Sequence, residues 1–317
     1  MAQTGHYAIG VDLGGTNLRA AAIDAGGNLL GKISGTTNLH EGRDAVIGDI
    51  AGSIVALRER FGVGRLAGIG VAVPGFIDIE QGVVVGSNNL PQFEGFALRD
   101  DISGNLGKPV ILENDANAAA LGEKWMGAGR DVHDLVLLTL GTGIGGGVIS
   151  GGRILHGFVG MAGEFGHMTV IPNGNPCGCG NTGCLEKHAS ATAIAAMGRL
   201  LQLGSDLTAA EVFAIAHGPD ADSARRARHI FQQMGAALGI ALGNLVNIFN
   251  FPLYLLSGGP LPAWDLFAPA MMSEIERRSF TFRNTKTRIE KAALGGEAGL
   301  FGAACLPLME AGAAGKN

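Results

Sequence analysis

The sequence predicts a two-domain α/β protein, and three observations carry that prediction. The chain has 317 residues, about twice the length of a ~150-residue domain. Apolar runs of strand length alternate with segments of helical periodicity. A pattern of apolar strand, glycine turn and apolar strand opens the chain and restarts at Leu135, a weak internal repeat. The restart places a boundary near Asn114, giving a smaller domain over 1–114 and a larger one over 115–297.

The elements follow in order. Tyr7–Asp12, Leu18–Ile23 and Leu29–Ile33 are apolar runs joined by Gly-Gly turns, which is an antiparallel meander. Val46, Ile50, Ile54, Leu57 and Phe61 recur at helical spacing, so 43–61 is an amphipathic helix. A buried strand spans 66–73 and stops at Pro74-Gly75; another, 110–112, leads into a helix over 116–125. After the restart come a strand over 135–140, a glycine turn over 141–147 and a returning strand at Val148-Ile149. Helices over 191–203, 209–217 and 223–250, a short strand over 253–257 and a helical tail over 298–310 complete the chain.

Composition excludes several classes. Hydrophobic residues make up 47% and charged residues 16%, which rules out a disordered chain. Glycine, at 53 residues, is more than double its ordinary ~7% share but has no G-X-Y period, so collagen is excluded. Net charge −5 and a pI near 5.9 disfavour nucleic acid or an anionic membrane as a partner over the whole surface. The segment 229–264 has no Lys, Arg, Asp or Glu and carries Gly235, Gly239 and Gly243 in a G-x-x-x-G stripe. In lipid this would be a dimerisation face; ended by Asn250 and Pro252, it reads here as a buried helix packed through its glycines. With no signal peptide read at the N-terminus, the expected location is cytoplasmic.

Two glycine-rich turns carry candidate chemistry. In VDLGGTN, Gly14 and Gly15 permit close backbone approach to a phosphate, Thr16 can donate to it, and Asp12 can hold Mg²⁺ through water. In LGTGIGGG, Gly141, Thr142 and Gly143 offer amides and a hydroxyl, without the G-x-x-x-x-G-K-[ST] of a P-loop. Either turn alone equally fits an ordinary hairpin. As a pair in a repeated context they suit a clamp on the phosphate chain of a nucleotide. Between them, ENDANAAALGE ends a strand at Glu113 and opens a helix at Asn114 and Asp115. Those two residues fit a helix cap; a carboxylate at a strand's carboxyl end also suits a general base.

Three cysteines cluster. His167, Cys177, Cys179 and Cys184 form a Cys₃His set with C-x-C-x₄-C spacing, which reads as a closed structural zinc site. All four positions come from protein, so this metal would not activate water. Glu164 and Glu186 flank the knuckle and are either what it positions or plain surface carboxylates.

VDLGGTN, VAVPGFID, ENDANAAALGE, LGTGIGGG, GH…CGCGNTGC and the SGG near 258, taken in this order, resemble the ROK family of sugar kinases, over residues 8 to 305. The resemblance implies the two-domain actin-like (ribonuclease H-like) ATPase fold with an interdomain cleft, the C-terminal helix at about 298–317 packing back on the first domain. It implies ATP-dependent phosphorylation of a hexose, most similar to bacterial ROK glucokinases acting on glucose; members acting on fructose, N-acetylglucosamine or N-acetylmannosamine share the motifs. By the same resemblance Asp115 is the catalytic base. Asn114, Glu164, His167 and Glu186 bind sugar hydroxyls, with Gly75 and Asn89 beside them. Asp12, Gly14, Gly15, Thr16, Thr142 and Gly143 face the phosphates, and Gly258 and Gly259 the adenosine. His167 serves twice, one ring nitrogen on zinc and one toward sugar. Implied cofactors are ATP, Mg²⁺ and structural Zn²⁺, and the implied assembly is a homodimer. ROK repressors share the fold behind an N-terminal helix-turn-helix; with the first phosphate hairpin starting by residue 12, the expected reading is the kinase rather than the sugar-sensing regulator.

Overall fold

The structure is a computed structural model that describes residues 5–312. The extreme ends of the expected first domain and tail, and the first residues of the segment read as lacking a signal, lie outside the described residues.

The meander forms as β1 (Tyr7–Leu13), β2 (Asn17–Asp24) and β3 (Leu29–Thr36). Helix α1 (Arg43–Phe61) lays Val46, Ile50, Ile54 and Leu57 against the sheet, burying its apolar stripe. β4 (Leu66–Val73) pairs parallel with β1. A hairpin of β5 (Phe76–Asp78) and β6 (Val83–Gly86) follows, then α2 (Leu98–Leu106) and β7 (Ile111–Asn114), parallel to β4. The resulting order is β3-β2-β1-β4-β7. α3 (Asp115–Met126) leaves directly from β7.

The second sheet repeats that plan. β8 (Leu135–Leu140) is followed by β9 (Ile144–Ser150) and β10 (Arg153–Ile154). Four helices follow: α4 (Glu186–Ala189), α5 (Ala191–Leu200), α6 (Ala209–Ala216) and α7 (Ala221–Phe249). β11 (Leu253–Gly258) then adds in parallel beside β8. After α8 (Trp264–Arg278) and α9 (Phe280–Asn284), β12 (Arg288–Lys291) closes the order β10-β9-β8-β11-β12. Each sheet thus sets its first strand in the middle, with antiparallel returns on one side and parallel crossovers on the other. The last element is α10 (Ala298–Glu310).

Among the described residues one compact unit comprises those up to His133, Gly147–Ala162 and those from Ala293 on; the other comprises Asp134–Gly146 and Gly163–Ala292. A boundary at Asn114 would put α3 in the second domain, yet α3 lies in the first. Its physical reason is contact at backbone distance: a Cβ on Gly122 would meet the Ala298 carbonyl of α10, and one on Gly302 the Ala118 carbonyl of α3. Fully buried Glu123 adds to this, accepting hydrogen bonds from the backbone N–H groups of Ala128 (2.9 Å), Ala293 (3.0 Å) and Leu294 (2.7 Å). α10 also covers β1 and β4, with Ala8, Ala21, Ile23, Leu300, Ala304 and Leu308 all buried together.

In the second unit the glycine stripe of α7 meets α8. A Cβ on Gly235 or Gly239 would run into the carbonyls of Phe267 and Met271. The stripe therefore lets two helices of one unit touch, and no helix among the described residues is long and apolar enough to cross a membrane.

Candidate active site

The two compact units each hold one set of the candidate residues. In the first, β1 and β2 turn tightly through the Gly14 N–H, which donates to the Asn17 carbonyl at 2.8 Å. Thr37, just past β3, pins this turn: its hydroxyl donates to the Gly14 carbonyl at 2.8 Å and its N–H to the Thr16 carbonyl at 2.8 Å. Thr16 is left exposed, and a Cβ on Gly14 would meet nothing closer than 3.4 Å. Gly15 lies against Asn89, whose carbonyl would be 3.2 Å from a Cβ there. The Gly14–Gly15 turn and the SNNL segment are thus neighbours.

Asp12 is the next-to-last residue of β1, opposite Arg19 of β2, and its Oδ2 is 2.6 Å from the Arg19 guanidinium. Burial raises the Asp12 carboxyl above its ordinary value, and Arg19 draws it back. Arg19 also donates to the Gly296 carbonyl, and Glu297 pairs with Lys32 at 2.7 Å.

Asn114 and Asp115 sit where β7 becomes α3. Asn114 is the cap: its Oδ1 accepts from the N–H groups of Ala116 (2.8 Å) and Asn117 (3.1 Å), and its Nδ2 donates to the Gly75 carbonyl at 2.9 Å. Gly75 has φ +119°, and a side chain there would strike Gly86 and Ser87, so only glycine brings its carbonyl to the cap. Capping therefore falls to Asn114, and Asp115 is the first helical residue, half-buried, its Oδ1 accepting from the Ala116 N–H at 2.8 Å. Gly75, Asn114 and Asp115 are one local constellation.

In the second unit the other glycine turn lies between β8 and β9. The Gly141 carbonyl accepts from Ala191 N–H (2.8 Å), and the Thr142 carbonyl from the Thr192 hydroxyl (2.7 Å). The N-terminus of α5, capped by Ser190, thus abuts the turn and adds a positive dipole end there. Gly258 takes φ +110° against Leu140, and the Gly259 N–H donates to the Leu140 carbonyl at 3.0 Å. The SGG and LGTG segments are therefore adjacent.

Glu186 opens α4, and its Oε2 accepts from the Ile144 N–H at 3.2 Å. A Cβ on Gly143 would run into that carboxylate. The Glu186 carboxylate, two residues beyond Cys184, consequently touches the LGTG turn, a contact that motif spacing does not reveal. Partial burial raises the Glu164 carboxyl above its ordinary value; His167 opposes this and the nearby Glu186 adds to it.

His167, Cys177, Cys179 and Cys184 bring one ligand atom each within 4.8 Å of one another. His167 Nδ1 is 3.7 Å from Cys177 Sγ, and Cys179 Sγ is 3.7 Å from Cys184 Sγ. A tetrahedral zinc ion with Zn–S bonds of about 2.3 Å sets S···S edges of about 3.7–3.8 Å, so the residues fit the metal. All four cysteines of the chain are free. His167 turns Nδ1 to the cysteines and Nε2 toward Glu164 Oε2, at 3.9 Å.

Two residues that hold the candidate turns escaped the motif reading: Arg19 and Thr37. Arg19 had a legible signal, since two residues on either side of a tight turn face each other in an antiparallel pair. Thr37 is distant in sequence from the turn it holds.

The family model "ROK family" matches residues 8–310. A glucokinase of Halalkalibacterium halodurans is 38% identical over 313 residues, covering 93% of this chain and 92% of its own. Among solved structures, the ROK hexokinase of Thermus thermophilus superposes with a TM-score of 0.85 at 35% identity, covering 96% of this chain and 99% of its own. A ROK family glucokinase from Streptomyces griseus, in complex with glucose and AMPPNP, gives a TM-score of 0.76 at 29% identity, covering 95% of this chain and 98% of its own. With the strand order, the Asn114–Asp115 turn and the Cys₃His cluster already in place, this chain belongs to the ROK family and has its two-domain actin-like ATPase fold.

Proposed function

We propose that the chain transfers the γ-phosphoryl group of ATP to glucose, giving glucose 6-phosphate and ADP. The observation that carries the reading is the Asp115 carboxylate at the first turn of α3, with capping assigned to Asn114. Glucokinase relatives that match nearly the whole chain support it.

A sugar hydroxyl has a pKa far above neutrality and attacks poorly while protonated. Asp115 accepts its proton as the new O–P bond forms and the bond from Pγ to the bridging oxygen breaks. The remaining work is placement and charge. Gly14, Gly15 and Thr16 bind phosphate oxygens from the first unit, and Thr142 and Gly143 from the second, next to the α5 N-terminus. Gly258 and Gly259 hold the adenosine. Asn114, Gly75 and Asn89 serve the sugar together with Glu164, His167 and Glu186. Mg²⁺ bound with the ATP phosphates would supply charge neutralisation there. Asp12 suits a contact to that ion through water, because its Oδ2 is already held by Arg19. His167, Cys177, Cys179 and Cys184 would hold a structural zinc ion, and so would tie together the ends of the segment bearing Glu164 and Glu186. A cytoplasmic setting suits four free cysteines. The homodimer implied by the family is checked by light scattering of the purified chain.

A coupled assay over glucose, fructose, mannose, N-acetylglucosamine and N-acetylmannosamine tests the substrate. Glucose should give the highest kcat/KM; ATP turnover that no hexose stimulates would overturn the kinase reading. Two variants test the assignments. Gly14→Val should raise the KM for ATP about tenfold with folding intact, because the protein has room for the side chain but the phosphate does not. An unchanged ATP KM removes the turn from the clamp. Gly143→Val is the poorer probe, since it would also displace Glu186. Glu186→Gln should raise the KM for glucose about tenfold or more and narrow the ratios of kcat/KM among hexoses, because a carboxylate accepts charge-assisted bonds from hydroxyls that an amide matches poorly. If those ratios hold and only kcat falls, Glu186 acts in the chemical step.

A further inference from the structure

Glu113 precedes the Asn114–Asp115 turn, and its side chain is only 1% exposed. A buried carboxylate persists only if its oxygens are bonded and its charge is met. Oε1 accepts from the Asn114 backbone N–H at 2.9 Å and from Asn117 Nδ2 at 3.0 Å. Oε2 lies 2.7 Å from His156 Nε2. All four residues belong to the first unit. Glu113 therefore grips the turn from both sides of Asp115, through the residue before it and the residue two after it. His156 meets the charge that this grip concentrates.

We propose that His156 is a positioning residue for the base, acting through Glu113 to fix the Asn114–Asp115 turn at the head of α3. The proposal rests on the reading of Asp115 as the base. His156 comes from a distant part of the chain, two residues after β10 ends. Its ring is about one-third exposed, so removing it leaves no large cavity. The bond to Glu113 raises the imidazole above its ordinary value against partial burial, which favours the charged ring opposite the carboxylate. Without His156, Oε2 is left buried with its charge unmet. The carboxylate must then rotate toward water or take up a proton, and either change loosens Oε1 from Asn114 and Asn117. A shift of about 1 Å in a reacting group can cost on the order of a hundredfold in rate.

A second role competes. The His156 carbonyl also accepts from the Ala162 N–H at 3.1 Å, closing a loop that leads into Glu164. If His156 served mainly to anchor that loop, its loss would be felt in sugar binding rather than in turnover.

The test uses the full-length enzyme with four variants: His156→Ala, His156→Gln, Asp115→Asn and the double variant His156→Ala/Asp115→Asn. His156→Ala should lower kcat by about tenfold to a hundredfold, while the KM values for glucose and ATP stay within about twofold. His156→Gln, whose amide can still donate to Glu113, should recover most of that loss. In the Asp115→Asn background, His156→Ala should lower kcat by less than about twofold, since a residue acting through the base has nothing left to position. A rise in glucose KM with kcat retained assigns His156 to the loop and overturns the proposal. So does a full further loss in the Asp115→Asn background, or a His156→Gln variant no better than His156→Ala. If Asp115→Asn alone keeps more than about a tenth of wild-type kcat, the base reading fails first, and the proposal falls with it.

Discussion

Replacing Asp115 by Asn should lower kcat by roughly 10²–10⁴-fold, the ordinary contribution of a general base. The exchange keeps size and shape, and the helix start does not depend on Asp115, because Asn114 supplies the cap with bonds of 2.8 and 3.1 Å. Thermal stability should therefore stay near wild type, and the KM for glucose should change little. Steady-state kinetics with a melting curve on the same preparation separates the possibilities. A variant that keeps more than about a tenth of wild-type kcat places the base elsewhere. A variant that loses activity only because it unfolds would show that Asp115 carries the α3 terminus after all.

The second large effect concerns the metal. One zinc ion per chain is expected, bound by His167, Cys177, Cys179 and Cys184, whose ligand atoms lie within 4.8 Å of one another. Structural zinc binds peptides of this kind with apparent free energies of about 10–16 kcal/mol, well beyond the 0.5–3 kcal/mol of an ordinary substitution. Cys184→Ser removes the most deeply placed ligand, at 0% exposure. The variant should lose stoichiometric zinc and sugar-dependent turnover together. Mild chelation should act slowly on the wild type, and acid should speed the loss, because thiolates must take up protons to release the ion. Elemental analysis of active, purified wild-type enzyme is decisive: without stoichiometric metal, the knuckle is no zinc site.

How far the chain could be read from its letters depended on whether a local rule coincided with the tertiary result. The 43–61 periodicity, the 66–73 and 135–140 apolar runs and the 298–310 tail became α1, β4, β8 and α10 with the same ends. α1 keeps one helical period, and β4 and β8 are continuous, mostly buried runs of strand length. Helix α8 was not legible as an element: Pro269 lies inside it, where a proline argues against a helix, although Phe267, Met271 and Ile275 keep one buried face at helical spacing. β12, reading Arg-Ile-Glu-Lys, is a polar strand at a sheet edge whose pairing with β11 is decided by distant residues. The site divides in the same way. A cap at Asn114 or Asp115 was legible because polar residues at a helix start leave a local signature, and the structure gives it to Asn114; Gly75 entered only through the family resemblance. His156 and Thr37 were not legible, because each acts on a turn more than twenty residues away.

The placement of α10 bears on how the chain is made. The first unit needs residues from Ala293 on, so its sheet waits until that segment has been made. At about 5–20 residues per second, the 159 residues between His133 and Ala293 take roughly 8–32 s to synthesise. During that interval the face of β1 and β4 that α10 will cover, with Ala8 and Ala72 and the bare backbone of Gly10 and Gly70, is open. Small residues make that waiting surface a weak adhesive compared with the Ile- and Leu-rich face that α1 covers early. The second unit, nearly contiguous in sequence, can finish first. Docking of α10 is thus the step that turns a nascent, half-covered sheet into a finished one.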